Sequence, residues 1–276
     1  MTRPLVMGVV NVTPDSFSDG GRYLDPDAAV ARGLALVAEG ADVVDVGGES
    51  TRPGAEPVDP DEEARRVVPV VDALHRHVRV SVDTRRGSVA RAAVAAGATL
   101  VNDVSASLYD VAADLGVGWV AMHMRGEPGT MQDDPRYDDV VAEVTGFLVE
   151  RVAAARAAGV PEVWIDPGIG FGKTIDHNLA LLAHLDRLVA TGLPVLVGTS
   201  RKRFLGDLLA RADVQIGAAD GPGPVPVDDR LEGSLATVVW AARAGVTVVR
   251  VHDVAATVAA LGRVDADDPR SPAAPG

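Results

Sequence analysis

The chain has 276 residues, 47% of them hydrophobic, enough apolar material for one large domain. A net charge of −13 excludes a broad electrostatic surface for nucleic acid or acidic lipid, and the absence of cysteine excludes disulfides and thiolate chemistry. The apolar runs are too short to span a bilayer and the N-terminus has no signal-peptide pattern, so the expected location is the cytoplasm, with no membrane partner.

Eight short apolar runs punctuate the chain, each ending in or carrying a polar residue. Leu5–Val10 ends at Asn11. A helical stripe through Val30, Leu34 and Val37 predicts a helix over Asp27–Glu39. Val43–Val46 carries Asp45, and Pro60 opens a helix through Val67, Val71 and Leu74, with Pro69 expected to kink it. Val78–Val82 ends at Asp83, before a helix over Arg86–Ala96. Ala98–Val101 ends at Asn102, before a short helix over Asp110–Leu115. Trp119–Met122 ends at His123, and Tyr137–Ala158 is the longest predicted helix. Val163–Ile165 ends at Asp166, with a helix over Asp176–Ala190 behind it. Val195–Gly198 runs into Ser200 and the basic group Arg201-Lys202-Arg203. Helices over Arg203–Ala210 and Asp228–Ala244 flank a Gly/Pro-rich insertion from Gly217 to Val227. Thr247–Val251 carries Arg250 and ends at His252, before a helix over Ala255–Leu261. Residues 265–276, rich in Asp, Pro and Ala, are expected to form a disordered tail.

Short runs of Val, Ile and Leu alternating with helical segments mean parallel strands buried on both faces. Eight such units predict an α/β fold, a single (β/α)8 barrel of the TIM type over residues 1–264. The loops after strands one, two and five (Asn11–Pro26, Gly47–Asp59 and His123–Pro135) are unusually long and share the end of the barrel where ligands bind.

The polar residues at that end suggest chemistry. Asp83, Asn102 and Asp166 close three strands, and together they suit the guanidine-like edge of a planar heterocycle such as a pterin. Arg250 and His252, two apart on one strand, face the same side and form a small anion site with Lys202 nearby. Asn11 offers a neutral oxygen suited to Mg²⁺, or simply braces its loop. Gly168-x-Gly170-x-Gly172-Lys173-Thr174 looks like the end of a phosphate loop but lacks the four-residue gap between glycines, which argues against an ATPase. His75, His77, His177 and His184 have no metal-ligand spacing and read as surface or packing residues. Trp119, Trp164 and Trp240 are expected in the core, and Asp45 is expected to hydrogen bond inside the barrel.

Several of these stretches resemble one family. Asn11-Val-Thr-Pro-Asp-Ser-Phe-Ser-Asp-Gly-Gly21 and Asp45-Val-Gly-Gly-Glu-Ser-Thr-Arg-Pro-Gly54 are similar to the first two loops of dihydropteroate synthases. So are Ser81-Val-Asp-Thr84, Asn102-Asp-Val-Ser105, Met122-His-Met124, Asp166-Pro-Gly-Ile-Gly-Phe-Gly-Lys173, Gly198-Thr-Ser-Arg-Lys-Arg-Phe-Leu-Gly206 and Arg250-Val-His-Asp253. The resemblance implies condensation of (7,8-dihydropterin-6-yl)methyl diphosphate with 4-aminobenzoate, giving 7,8-dihydropteroate and diphosphate in folate biosynthesis. It implies that Asn102, Asp166 and Lys202 hold the pterin, with Asp83 beside them. It further implies that Asn11 binds Mg²⁺ or the diphosphate, that Arg250 and His252 bind the diphosphate, and that Phe17, Thr51, Arg52, Pro53 and Ser200 frame the 4-aminobenzoate pocket. Asp83, Lys202, Arg250 and His252 are the expected catalytic group, neutralising and aligning rather than acting as a strong base. Homodimers through the outer helices and inhibition by sulfonamides are also implied, the latter because no extra residue interrupts Thr51–Gly54. One departure is Ala106, where many members carry glycine. Two alternatives share parts of the pattern: a methyltetrahydrofolate-dependent methyltransferase and a non-catalytic pterin-binding paralogue.

Overall fold

The computed structural model describes residues 3–13, 26–50, 57–127, 129–215 and 223–266. Its centre is an eight-stranded parallel sheet in the order β6-β5-β4-β3-β2-β1-β8-β7. The strands are β1 (Leu5–Asn11), β2 (Val43–Gly47), β3 (Arg79–Asp83), β4 (Leu100–Asp103), β5 (Gly118–Met122), β6 (Val163–Asp166), β7 (Leu196–Val197) and β8 (Val248–Val251). A bridge between Ile165 and Val195, with Ile165 N–H donating to Pro194 O at 2.9 Å, brings β6 to β7 and closes the ring. The expected barrel is therefore present, and all eight runs lie where the apolar pattern put them.

The packing follows from the two-residue period of a strand. Met7, Val43, Leu100, Val120, Trp164, Leu196 and Val248 form one buried apolar cluster, a floor inside the barrel. Two residues further along the same strands stand Asp45, Asn102, Met122, Asp166 and Arg250. On β2, β4, β6 and β8 the interior thus changes from apolar to polar in one step, on the side where the strands end, while β1 and β5 stay apolar at Val9 and Met122. The opposite faces of the strands pack against the helices in the larger core. Below the floor the Arg79 guanidinium lies 5.2 Å from the Trp164 ring centre and pairs with Glu162 at 2.5 Å.

The helices are α1 (Pro26–Ala38), α2 (Pro60–Leu74), α3 (Gly87–Ala95), α4 (Tyr109–Leu115), α5 (Val140–Ala157), α6 (Ile175–Ala183), α7 (Leu185–Val189), α8 (Arg203–Gln215), α9 (Leu231–Arg243) and α10 (Val254–Ala266). Asp59 caps α2 by accepting from Asp61 N–H at 2.9 Å, and the helix runs on through Pro69.

Several expectations are corrected. The helix expected over Asp176–Ala190 is two pieces: the His184 N–H is shared between Ala180 O and Leu181 O, and the chain turns there. α5 starts three residues late because the Asp139 carboxylate caps it, accepting from Val141 and Ala142 N–H at 3.0 Å each. Tyr137 is instead drawn to the β6 loop, its hydroxyl donating to Gly172 O at 2.9 Å. The helix expected from Asp228 is a 3-10 turn over Val227–Asp229 followed by α9, broken at Arg230. α8 runs five residues longer than expected, and α10 extends to Ala266, two residues into the expected tail. The tail from 267 lies outside the described residues. Trp119 and Trp164 are core residues, but Trp240 is 53% exposed on α9, with its indole N–H donating to Leu182 O. No described helix is long and apolar enough to cross a membrane.

Candidate active site

The register of the sheet lines up the rim. Asn11 pairs with Gly47, Gly47 with Asp83, and Asp83 with Asn102, so three polar side chains share one level on β1, β3 and β4. Gly47 leaves room between them: a methyl group there would stand 3.4 Å from Asp83 Cβ and 3.6 Å from Asn11 Oδ1.

One step inward, Arg250 bridges two carboxylates. Its Nε donates to Asp45 Oδ2 at 2.7 Å and its Nη2 to Asp83 Oδ2 at 2.7 Å. Asn102 Nδ2 donates to the same Asp45 oxygen at 2.9 Å, while the other Asp45 oxygen is buried without a partner among the described residues. Burial pushes the Asp83 carboxyl up to about 7, against the pull of Arg250, and the neighbouring Asp45 adds to the rise. Arg250 moves further up, because the two carboxylates outweigh its own burial. The expected buried role of Asp45 is observed.

Across the barrel, Asp166 is 5% exposed and accepts from Gly168 N–H at 2.7 Å. Burial raises its carboxyl above the ordinary value, opposed mainly by Lys202. The Lys202 ammonium donates to Ile169 O and lies 4.5 Å from the centre of the Phe171 ring. Burial lowers Lys202 to about 8, with Asp166 opposing. His252 is joined to Ser200: both its backbone N–H and its Nδ1 lie 3.1 Å from Ser200 Oγ. Asp83, Asn102, Asp166, Lys202, Arg250, His252, Ser200 and Asn11 therefore all reach the C-terminal end of the barrel. Phe17, Thr51, Arg52 and Pro53 lie outside the described residues.

Sequence reasoning missed the groups that hold Ser200 and Lys202 in place. Arg201, between them, has a left-handed backbone with φ +60°, strained for a residue with a side chain. Ser234 Oγ accepts its N–H at 3.0 Å, and Arg230 Nη1 donates to its carbonyl at 3.0 Å. Asp253 accepts from Arg201 Nε at 3.0 Å and from Nη2 at 2.5 Å. The break at Arg230 has its reason here, since a guanidinium committed to Arg201 O and Val225 O keeps the helix from starting earlier. The one available signal was a basic cluster in an acidic chain. Ala106 is also left-handed, φ +49°, which explains why glycine suits that position and why alanine costs only about 1–2 kcal/mol there.

The lysine shift carries a pH prediction. Lys202 sits at about 8 in the folded chain against 10.5 for a free side chain, so between those values the unfolded chain binds the extra proton. Its stability penalty is full below about pH 8 and relieved as pH rises toward 10.5. Wild type is therefore expected to gain melting temperature relative to Lys202→Met between pH 7 and 10. A constant or shrinking difference would count against the burial of this charge.

The model of the family described as "Pterin binding enzyme" matches residues 7–252. The chain is 53% identical over 270 residues to the dihydropteroate synthase of Mycobacterium leprae (strain TN), covering 95% of this chain and 92% of that one. Xanthomonas albilineans dihydropteroate synthase with 4-aminobenzoic acid superposes with TM-score 0.86 at 51% identity, over 97% of this chain and 94% of that one. The Yersinia pestis enzyme in complex with a sulfonamide drug gives TM-score 0.86 at 43% identity, over 96% and 94%. The chain belongs to the dihydropteroate synthases, a family of transferases among the pterin-binding enzymes.

Proposed function

We propose that the groups gathered at this barrel mouth join (7,8-dihydropterin-6-yl)methyl diphosphate to 4-aminobenzoate in the following way. The observation that carries the reading is the ring of polar groups, the buried Asp45, Asn102 and Asp166 with the partly buried Arg250, standing one step above an apolar floor. A carboxylate and an amide at that depth match the donor and acceptor edge of a flat heterocycle. Asp166 and Asn102 take the pterin edge, and Lys202 closes over it. Arg250 spends two of its five N–H bonds on Asp45 and Asp83, so three remain for the diphosphate, with His252 beside it.

Displacement then occurs at the pterin methylene. The C–O bond breaks, its electron pair leaves on the diphosphate, and the lone pair of the aromatic amine forms the new C–N bond. The amine is neutral at pH 7 and surrenders its proton to solvent or to the departing diphosphate, so alignment does more than a strong base. Positive charge growing on the pterin methylene is spread by the ring and faced by Asp83. Charge growing on the diphosphate is met by Arg250 and His252.

Asn11 contributes one partly buried neutral oxygen at the rim. Among the described residues no group of three or more His, Cys, Asp or Glu could hold a metal ion. That donor set fits a Mg²⁺ that keeps most of its waters and arrives with the diphosphate, with Asn11 holding it. When bound, the ion offsets charge on the leaving group. Phe17, Thr51, Arg52 and Pro53, with Ser200, are assigned to 4-aminobenzoate. We place the enzyme in the cytoplasm as a homodimer through its outer helices, where Trp240 and Leu179 are exposed.

Purified protein with the dihydropterin methyl diphosphate and Mg²⁺ is expected to release diphosphate only with 4-aminobenzoate, in step with dihydropteroate. A sulfonamide is expected to raise the apparent KM for 4-aminobenzoate without lowering the maximal rate. Pterin binding with no product would point to a non-catalytic paralogue, and an insensitive enzyme would remove the sulfonamide assignment.

A further inference from the structure

The glycine-rich run after β6 has no place in the chemistry above, and three of the amides that a phosphate loop would offer, those of Gly168, Gly170 and Phe171, are occupied. Gly168 N–H donates to Asp166 Oδ1 at 2.7 Å, Gly170 N–H to Asn178 Oδ1 at 2.7 Å, and Phe171 N–H to Gly168 O at 3.1 Å. Gly168, Gly170 and Gly172 have φ of +64°, +83° and +61°. Glycine supplies these left-handed turns without a side-chain clash, and the carbonyls of Gly168 and Phe171 converge on one point.

At their focus sits the Lys173 ammonium. It donates to Gly168 O at 3.0 Å, Phe171 O at 3.0 Å and His123 O at 3.3 Å, and it lies 3.0 Å from His123 Nδ1. The residue is 3% exposed, and among the described residues no carboxylate forms an ion pair with it. Burial drives Lys173 down to about 7, opposed by Asp166, and holds His123 near 3, so the imidazole is neutral and can accept through one ring nitrogen. A cation buried among neutral acceptors is costly, and a fold retains such a cost where a site uses it.

We propose that Lys173 is a positioning residue for the pterin, its ammonium drawing the 168–172 turn against the end of β5 and thereby setting Asp166 and Lys202. Both groups take their position from this turn: Asp166 accepts from Gly168 N–H, while Lys202 donates to Ile169 O and packs on the Phe171 ring. The inference rests on Asp166 and Lys202 being the pterin contacts.

The test compares wild type with Lys173→Met and Lys173→Gln. In Lys173→Met the KM for the dihydropterin methyl diphosphate is expected to rise about tenfold, one lost hydrogen-bonding group's effect. The KM for 4-aminobenzoate at saturating pterin is expected to stay within about twofold, since the altered turn holds the pterin groups. Lys173→Gln, which can still donate to two carbonyls, is expected to recover part of the loss. Calorimetric binding of the pterin diphosphate without 4-aminobenzoate should show the same order. Equal rises for both substrates, unchanged pterin affinity, or failure of both variants to fold would overturn the proposal. Wild type that binds pterin but forms no dihydropteroate would overturn the reaction instead, and the binding series would still decide the role of Lys173.

Discussion

Arg250→Met is expected to lose about 3–5 kcal/mol of stability, because it strands two carboxylates around one vanished cation. Asp45 is fully buried and the Asp83 side chain is 12% exposed, so solvent does little to replace the guanidinium. For a chain of this size the melting temperature should fall by roughly 6–20 °C. The deficit should shrink as pH falls toward 7 and level off below it, since without the pull of Arg250 the Asp83 carboxyl takes its proton above the value of about 7 that it has in wild type, and that proton relieves the repulsion. Loss of the charge-assisted bonds we propose from Arg250 to the diphosphate should lower kcat/KM by about a hundredfold or more, measured with pterin subsaturating. Arg250→Lys keeps the charge but cannot bridge Asp45 and Asp83 together, so it should fall between the two. A Met variant with wild-type stability at pH 8 would show that the two carboxylates do not depend on Arg250.

Gly168→Ala is the second large effect. The residue is left-handed, and an added methyl group would overlap the carbonyl oxygen of His123, a backbone atom with little freedom to move. The conformational part costs about 1–2 kcal/mol, and the overlap adds about 1–3 more. Gly159→Ala separates the two, because Gly159 is also left-handed, φ +90°, yet has open space around its missing side chain. Chemical denaturation should show Gly168→Ala the less stable of the two by the overlap alone. Equal losses would mean that the β6 turn is not wedged against β5. On the pterin role proposed for Asp166, pterin affinity should fall in Gly168→Ala only, since Gly168 N–H holds Asp166.

Much of the site was legible because a strand has a two-residue period. Val43 then Asp45, Leu100 then Asn102, Trp164 then Asp166, Val248 then Arg250: in each pair an apolar floor residue is followed, on the same face, by a polar one. That pattern is local and survives without knowledge of the fold. Helix limits were less legible, because side chains with distant partners set them. Arg230 stops α9 short to hold Arg201, and Tyr137 leaves α5 to reach Gly172. Trp240 was misread because size and apolarity describe a residue without saying which helix face meets the barrel.

By itself the sequence determined the eight strands, the barrel they form, the end that carries chemistry and the family, since each rests on short-range periodicity or on contiguous motifs. Only the tertiary structure decided which charges pair. Arg250 meets Asp45 and Asp83 across 205 and 167 residues of chain, and Lys173 meets His123 across 50. Those pairings depend on the register and closure of the barrel, and the position of a residue along the chain carries no measure of either.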